Sequence, residues 1–380
     1  MIQTSDNVKF ERQCQPLGEV MQRLRESHER KFDELLSLHQ LHLDDQLRLV
    51  HNGSRFTPRG FAALAHLVEI PPAAVHWLSE SQYTQELSQI VNNQLGRMRT
   101  QESQRSADRR VFARFRADVN ENIQCRALFS DRFCPVDSWP ALEMVREALT
   151  DTEFNSAQVH RLSYDGDELF CNILWPGCDR GVGGTSYMCG VALQNGEVGT
   201  VRLKLAPVVL RKVCSNGLVV QDPLDVARVS KRHVGRIDLA ELAQGIRAAV
   251  SCAMERADRA ISQLEASRGI LVSDGERTIV QASRELKLTR DQTCAWLRGH
   301  EQTLDEPGVG EVSVFSIVNG LTKGAQCPGF EPNVRAYMES LAGRVLAPSL
   351  ASSESRMKDW WSELQLRARS LSDEVLATYL

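Results

Sequence analysis

The pattern that most constrains this chain is a series of short apolar runs separated by tight-turn signals between Gln158 and Val220. Gln158 to Tyr164 and Glu168 to Trp175 flank Asp165-Gly166-Asp167, and an Asp-Gly pair between two such runs is a strong hairpin signal. Tyr187 to Leu193, Val201 to Leu205 and Val208 to Val213 continue the series, with turns expected at Asn195-Gly196 and at Asn216-Gly217 before Leu218 to Val220. Strands joined by such short turns pair antiparallel. After Asp238, a helix start, Leu239, Leu242, Ile246, Ala249, Ala253, Ala257, Ile261 and Leu264 recur at helical spacing, which predicts one long helix to about Ser267 covering the sheet.

The flanks read as helical. Leu17, Val20, Met21 and Leu24 share one face of a helix over 16–31, Thr57-Pro58 opens another, and Ala73 to Leu78 and Tyr83 to Arg99 follow. Between the first two, Leu36 to Leu43 and Leu47 to His51 alternate around Asp44-Asp45 and predict a hairpin. The polar run Thr100 to Asp108 reads as a connection. Arg110, Arg114 and Arg116 then share one parity of a strand, either a solvated face or a row of phosphate ligands. Ile123 to Phe129 returns, and Asp137 or Ser138 caps a helix whose buried face is Leu142, Val145 and Leu149. Helices are expected at Thr278 to Leu286, Thr289 to His300, Val312 to Leu321 and Val334 to Leu346, with a terminal one presenting Trp360-Trp361. The expected class is α+β: a central antiparallel β-sheet with a long covering helix, flanked by N-terminal and C-terminal helical regions, divided as 1–100, 101–268 and 269–380.

Chemistry-bearing motifs are weak. Ten cysteines lack close CxxC spacing, so free thiols of a cytoplasmic protein are expected and zinc is not. His39 and His42 beside Asp44 and Asp45 read as polar residues at a turn, and Gly181-Val-Gly-Gly184 lacks the lysine and following helix of a phosphate loop. Pro135 and Asp137 have no acidic-x-lysine partner for metal-dependent nuclease chemistry. A Cys214–His233 hydrolytic pair is conceivable, but Cys214 sits in an apolar run where a buried thiol is the default. The reading is a non-enzyme with no cofactor, no metal and no membrane span.

Charge points elsewhere. The chain carries a formal net charge of −4, yet Thr200 to Arg236 holds eight basic residues against Asp222 and Asp225. Such a local excess on an acidic protein suits a polyanion, because neutralising phosphates releases counterions. The candidate ligands are Arg202, Lys204, Arg211, Lys212, Lys231, Arg232, His233 and Arg236, with Tyr187 or Phe133 as stacking aromatics.

Several blocks resemble a family of phage- and plasmid-like proteins catalogued as a domain of unknown function. They are Arg126-Ala-Leu-Phe-Ser-Asp-Arg-Phe133 with Pro135-Val-Asp137, Asn195-Gly-Glu-Val-Gly199, Leu210-Arg-Lys-Val-Cys-Ser-Asn-Gly-Leu-Val219, Arg232-His-Val-Gly235, Phe315-Ser-Ile-Val-Asn-Gly-Leu-Thr322 and Leu341-Ala-Gly343. The likeness spans roughly residues 55 to 346, with Asn195-Gly196 where the family has Asn-Ser and Cys214-Ser215-Asn216 where it has Cys-Thr-Asn. The resemblance implies a mobile-element context. With the basic cluster it leads to the expectation of binding or annealing single-stranded nucleic acid, DNA favoured, in recombination, with a homo-oligomer as a compatible assembly. The alternative expectation is an interaction or regulatory factor that acts on host or mobile-element machinery without nucleic acid.

Overall fold

The computed structural model describes residues 13–71, 73–74, 78, 83–103, 110–150, 156–176, 180–182, 185–211, 216–219, 229–306, 308–346 and 354–379. In chain order the strands are β1 (Gln13–Pro16), β2 (Lys31–Ser37), β3 (Arg48–Leu49), β4 (Ser54–Phe56), β5 (Arg110–Ala117), β6 (Ile123–Ser130) and β7 (Gln158–Tyr164). They continue with β8 (Glu168–Leu174), β9 (Arg180–Val182), β10 (Thr185–Gly196), β11 (Leu203–Arg211), β12 (Asn216–Val219) and β13 (Val229–Lys231). The helices are α1 (Leu17–Glu29), α2 (Pro58–Leu67), α3 (Thr84–Ser103), α4 (Ser138–Thr150), α5 (Leu239–Ser251) and α6 (Ala253–Ala266). The C-terminal ones are α7 (Gly275–Glu285), α8 (Arg290–Leu304), α9 (Val314–Gly324), α10 (Pro332–Leu346), α11 (Glu354–Ala368) and α12 (Asp373–Ala377).

The class is α+β, with antiparallel sheet between helical regions. The sheet is double. A large sheet runs β1-β7-β8-β10-β11-β12, with β9 beside β10 and β13 beside β11, all antiparallel. A smaller one runs β2-β5-β6-β4-β3, in which β4 and β6 are parallel. Because β2 pairs with β5, this sheet unites residues on both sides of position 100.

The Asp165-Gly166 turn is where the sequence places it. Gly166 has φ +91°, and the Asp165 carboxylate accepts from the Asp167 and Glu168 amides at 2.8 and 2.7 Å. Thr57 caps α2 by accepting from the Gly60 amide at 3.0 Å, with Pro58 at the first helical position.

Other turn signals mark different features. Asn195 and Gly196 lie within β10, still paired with Leu169 and Glu168. The buried Asn195 amide donates to the Val136 carbonyl at 2.9 Å, and a side chain on Gly196 would meet the Val201 backbone. The pair is needed for close approach, and the reversal follows at residues 197–202, with Gly199 at φ +75°. Asn216 and Gly217 likewise belong to β12, opposite Arg211 and Leu210, so the connection falls on 212–215, outside the described residues.

The two runs expected at Val201 to Leu205 and Val208 to Val213 are one strand, β11, which passes through Pro207. Its free edge pairs with β13 over Leu203–Leu205 and with β12 over Val208–Arg211. Pro207, opposite Val191 of β10, falls between those two ladders, where its missing N–H costs no ladder bond.

The reversal expected at Asp44-Asp45 is present, with Leu43 bridging Leu49 antiparallel and the Val50 amide donating to the His42 carbonyl at 2.8 Å, but it is short: the preceding run, β2, pairs with β5 instead, and a second tight hairpin, β3–β4, turns at Asn52-Gly53. The polar run after Arg99 continues α3 to Ser103. The long covering helix is two segments, α5 and α6, meeting at Cys252. Leu242, Ile246, Ala249, Ala253, Ala257, Ile261 and Leu264 are buried against the large sheet, whereas Leu239, at the first position, is exposed.

On the other face of that sheet, Leu174, Ala192, Val208 and Leu210 form a small cluster near α10. Trp361 is fully buried and meets Trp360 edge to face, so the terminal pair is not the exposed surface the sequence suggested. Among the described residues no helix is long and apolar enough to cross a membrane.

Helix α2 lies so close to β6 that a β-carbon on Gly60 would come 2.2 Å from the Cys125 carbonyl oxygen. Gly60→Ala should therefore destabilise the fold by about 1–3 kcal/mol despite alanine's higher helix propensity. A urea midpoint equal to or above that of the parent would contradict this packing.

Candidate nucleic-acid interface

The small sheet meets the turn ends of the large one through buried charge. The register shifts at Arg114/Phe115, leaving Arg126 as an extra residue in β6. A bulge re-aims a side chain, and here both Arg114 and Arg126 reach toward the large sheet. Arg126 donates to Asp167 Oδ1, Glu197 Oε2 and the Gly166 carbonyl, each at 2.7 Å. Arg114 donates to Asp33 Oδ1 at 2.8 Å, to Asp137 Oδ1 at 2.6 Å and to the Glu197 carbonyl at 2.6 Å. Lys31 Nζ donates to Glu197 Oε2 at 2.6 Å and to the Tyr164 hydroxyl at 2.7 Å. The remaining oxygen, Glu197 Oε1, accepts from the Ser138 amide at 3.0 Å.

Arg114 is thus neither on a solvated face nor in a row of phosphate ligands: it is buried and bound to carboxylates. Asp137 turns its carboxylate to Arg114 and to His28 Nδ1 at 3.0 Å, away from a capping role at α4.

Electrostatics hold the carboxylates ionised. Burial by itself would raise Glu197, but Lys31 and Arg126 outweigh it and leave its pKa below the ordinary value. Burial opposes ionisation of Asp137 too, and the His28 hydrogen bond with the Arg114 and Lys31 charges holds it well below the usual carboxylate range. Burial lowers Lys31, with Glu197 opposing.

Above this network lies an aromatic stack. Leu35, Phe112 and Phe129 form one row across β2, β5 and β6. Phe133 lies parallel on Phe129, with centroids 3.8 Å apart, and packs against Phe112 at 5.7 Å and His233 at 5.8 Å. The Arg114 guanidinium sits 5.9 Å from the Phe133 ring, so the stack roofs the network. Gly199 presses the 197–202 turn onto it: a β-carbon there would lie 3.1 Å from the Phe129 ring. Phe112 and Phe129 remain half-exposed, with Leu35 at 46% and Val234 at 64% exposure beside them.

Exposed arginines rim the stack. The Gly235 amide donates to the Arg132 carbonyl at 2.9 Å and the Cys134 amide to the His233 carbonyl at 3.0 Å, bringing Arg132 next to the Arg232–Arg236 segment. Leu203 pairs with Lys231, so Arg202 and Arg232 sit one step beyond the end of that ladder. Arg132, Arg202, Arg232 and Arg236 are all exposed, as is Asp131 among them.

The eight residues singled out in the sequence therefore separate. Arg202, Arg232 and Arg236 are exposed on the turns that adjoin the aromatic stack. Lys231 is at the margin, bonded to Glu241 of α5 at 2.9 Å. Lys204 points to the opposite face of the large sheet, where it lines a groove against α10.

Arg211, at the far end of β11, is buried in an ion pair with Glu306 and lies 5.4 Å from the Phe315 ring. His233 is buried, and neither ring nitrogen makes a hydrogen bond among the described residues. Burial and then Arg114 lower its pKa, while the Cys134 backbone opposes them, so it serves as a neutral ring in the stack and not as a cation. Lys212 and Cys214 lie outside the described residues. Both aromatics proposed to stack bases are buried: Phe133 backs the half-buried Phe112 and Phe129, and Tyr187 donates to Glu265.

Phe112, Phe129 and Arg132 were not legible as site residues. Phe112 and Phe129 look like ordinary strand residues, and only the β5–β6 register makes them neighbours. The blocks Arg126–Phe133, Pro135–Asp137, Asn195–Gly199 and Arg232–Gly235, far apart in the chain, all meet at the network and its roof. No protein-family model, no curated protein and no solved structure matches this chain.

Asp137 and Glu197 have folded-state pKa values below their unfolded ones, so their stabilisation is complete above the unfolded carboxylate range and is lost as pH falls through the folded values. Urea stability should drop as pH is lowered below about 4. Glu197→Ala, which strands Lys31 and Arg126, should cost about 3–5 kcal/mol at neutral pH and flatten that acid limb. A parent-like midpoint with an unchanged acid limb would refute the role given to this carboxylate.

Proposed function

We propose that this protein binds single-stranded nucleic acid, DNA in the first instance, on the aromatic face of β5 and β6, and that it acts in recombination or annealing within a mobile element. The observation that carries the reading is the pair of half-buried rings Phe112 and Phe129, backed by the buried Phe133, with the exposed Arg132, Arg202, Arg232 and Arg236 on the neighbouring turns. Bases stack on aromatic faces with little regard to sequence, and exposed guanidinium groups engage the backbone phosphates. Such binding needs no bond chemistry, in keeping with the expectation of a non-enzyme. The mobile-element setting rests on the resemblance of the sequence blocks that converge on this face.

The buried Trp361 removes the exposed double tryptophan on which a purely protein-binding reading drew. Arg211 drops out of the ligand set, and a change there should lower stability before it touches affinity.

Fluorescence anisotropy with a labelled oligonucleotide tests the reading. Phe129→Ala should weaken binding by about fivefold to a hundredfold, the range of one base–aromatic stack. Changing Arg202, Arg232 and Arg236 together to alanine should leave thermal stability near the parent's and reduce the slope of log K against log salt by about 2. Absence of binding by the parent protein at low salt, or an unchanged slope in the triple variant, would sink the proposal.

A further inference from the structure

The 197–202 turn that presses on the aromatic stack has a second side. Val201, next to Arg202, lines a groove between β10–β11 and α10 whose other walls include Phe170, Gln194, Lys204, Asn333 and Tyr337. Its volume is about 140 Å³, close to the roughly 150 Å³ that admits a single aromatic ring in a protein interior.

The walls are of mixed character. Tyr337 is 41% exposed, and Asn333 beside it is exposed as well. Gln194 is half-buried on β10 and Lys204 half-buried on β11. An aromatic ring, two carboxamides and an ammonium thus face one ring-sized space. Carboxamides can both donate to and accept from a base edge.

An adjoining recess fixes α10. Glu339 is buried there and accepts from Arg161 at 2.6 Å and from Gln326 at 2.8 Å, and burial raises its pKa above the ordinary carboxylate value with Arg161 opposing. Arg335 adds a further basic residue to the recess lining.

We infer that this groove is a second subsite for the same strand, taking one base against Tyr337 with its edge toward Gln194 and Asn333 and its phosphate toward Lys204. The inference rests on the nucleic-acid reading of the aromatic stack, and it adds a path: a strand lying on Phe112 and Phe129 crosses the turn at Arg202 and places a following base in the groove. It assigns Lys204, which lines the groove two residues beyond Arg202, a place on the same ligand.

The test uses the full chain with labelled oligothymidylates of about four and about twelve nucleotides, within the range of site sizes for single-strand binding folds. Tyr337→Ala should weaken the longer oligonucleotide about fivefold or more and leave the short one within twofold. It should also reduce the number of nucleotides occluded per protein in a stoichiometric titration. Tyr337→Phe should restore both, since the ring and not the hydroxyl does the stacking. Phe129→Ala should weaken both lengths.

A Tyr337→Ala protein with parent-like affinity and occluded length, in a parent that binds, overturns the groove alone. Loss of both lengths equally in Tyr337→Ala, with unfolding at lower temperature, also overturns it, because the residue would then act through the fold. A parent that binds neither oligonucleotide overturns the aromatic platform and the groove with it.

Discussion

The Glu197 carboxylate is the point on which the two sheets depend. It is fully buried in the turn after β10, and its oxygens take Lys31 from β2, Arg126 from β6 and the amide that opens α4. A buried ion of this kind costs several kcal/mol in desolvation, which is recovered only if every partner is in place. The bulge at Arg126 and the short reversal after Gly196 are therefore constrained together. Displacing either would leave a guanidinium, an ammonium or a carboxylate unpaired in a medium that cannot solvate it. Such a network does less for net stability than for register, since an offset of either sheet by one residue would break it.

This constraint explains what could be read from the sequence and what could not. Regular periodicity carried well: the buried positions from Leu242 to Leu264, the Asp165-Gly166 hairpin and the Thr57-Pro58 helix start follow from local rules and appear in the fold. The misplacements concern residues whose role is set at long range. Asn195-Gly196 carries turn chemistry, but the fold uses the asparagine to hold Val136 and the glycine to admit Val201. Arg114 has the parity of a solvent-facing series, yet a carboxylate 23 residues further on and another on β2 draw it inward. Single-strand alternation does not reveal which strand lies opposite, so β2 pairing with β5 was not accessible from the pattern at Leu36 to His51.

The basic cluster shows the same division on the functional side. Along the sequence it is one patch, but the fold spreads it: Arg202 lies in the turn before β11, Lys204 lines the groove beside α10, and the length of β11 carries Arg211 to the far end, where Glu306 and Phe315 receive it. What remains near the aromatic stack comes from segments distant in the chain: Arg132 after β6, Arg202 before β11, and Arg232 with Arg236 after β13. Net charge in a sequence window is thus a guide to composition, while the field at a surface is decided by topology.

The placement of the aromatic platform on top of the ion network has a physical consequence for binding. The Arg114 guanidinium lies 5.9 Å from the Phe133 ring, and the turn at Gly199 comes so close to Phe129 that a side chain there would touch it. His233, kept neutral by burial and by Arg114, extends the stack without adding a charge that would need solvent. In the binding mode proposed above, rings packed in this way would give up little side-chain freedom to a stacking base. The charged groups that do face solvent are long arginines on turns, which can follow an irregular backbone. Rigid stacking surface and adaptable phosphate contacts suit a ligand whose bases are presented in any order, and the buried salt-bridge network is what allows the rigid half of that pair to stand at the edge of a sheet.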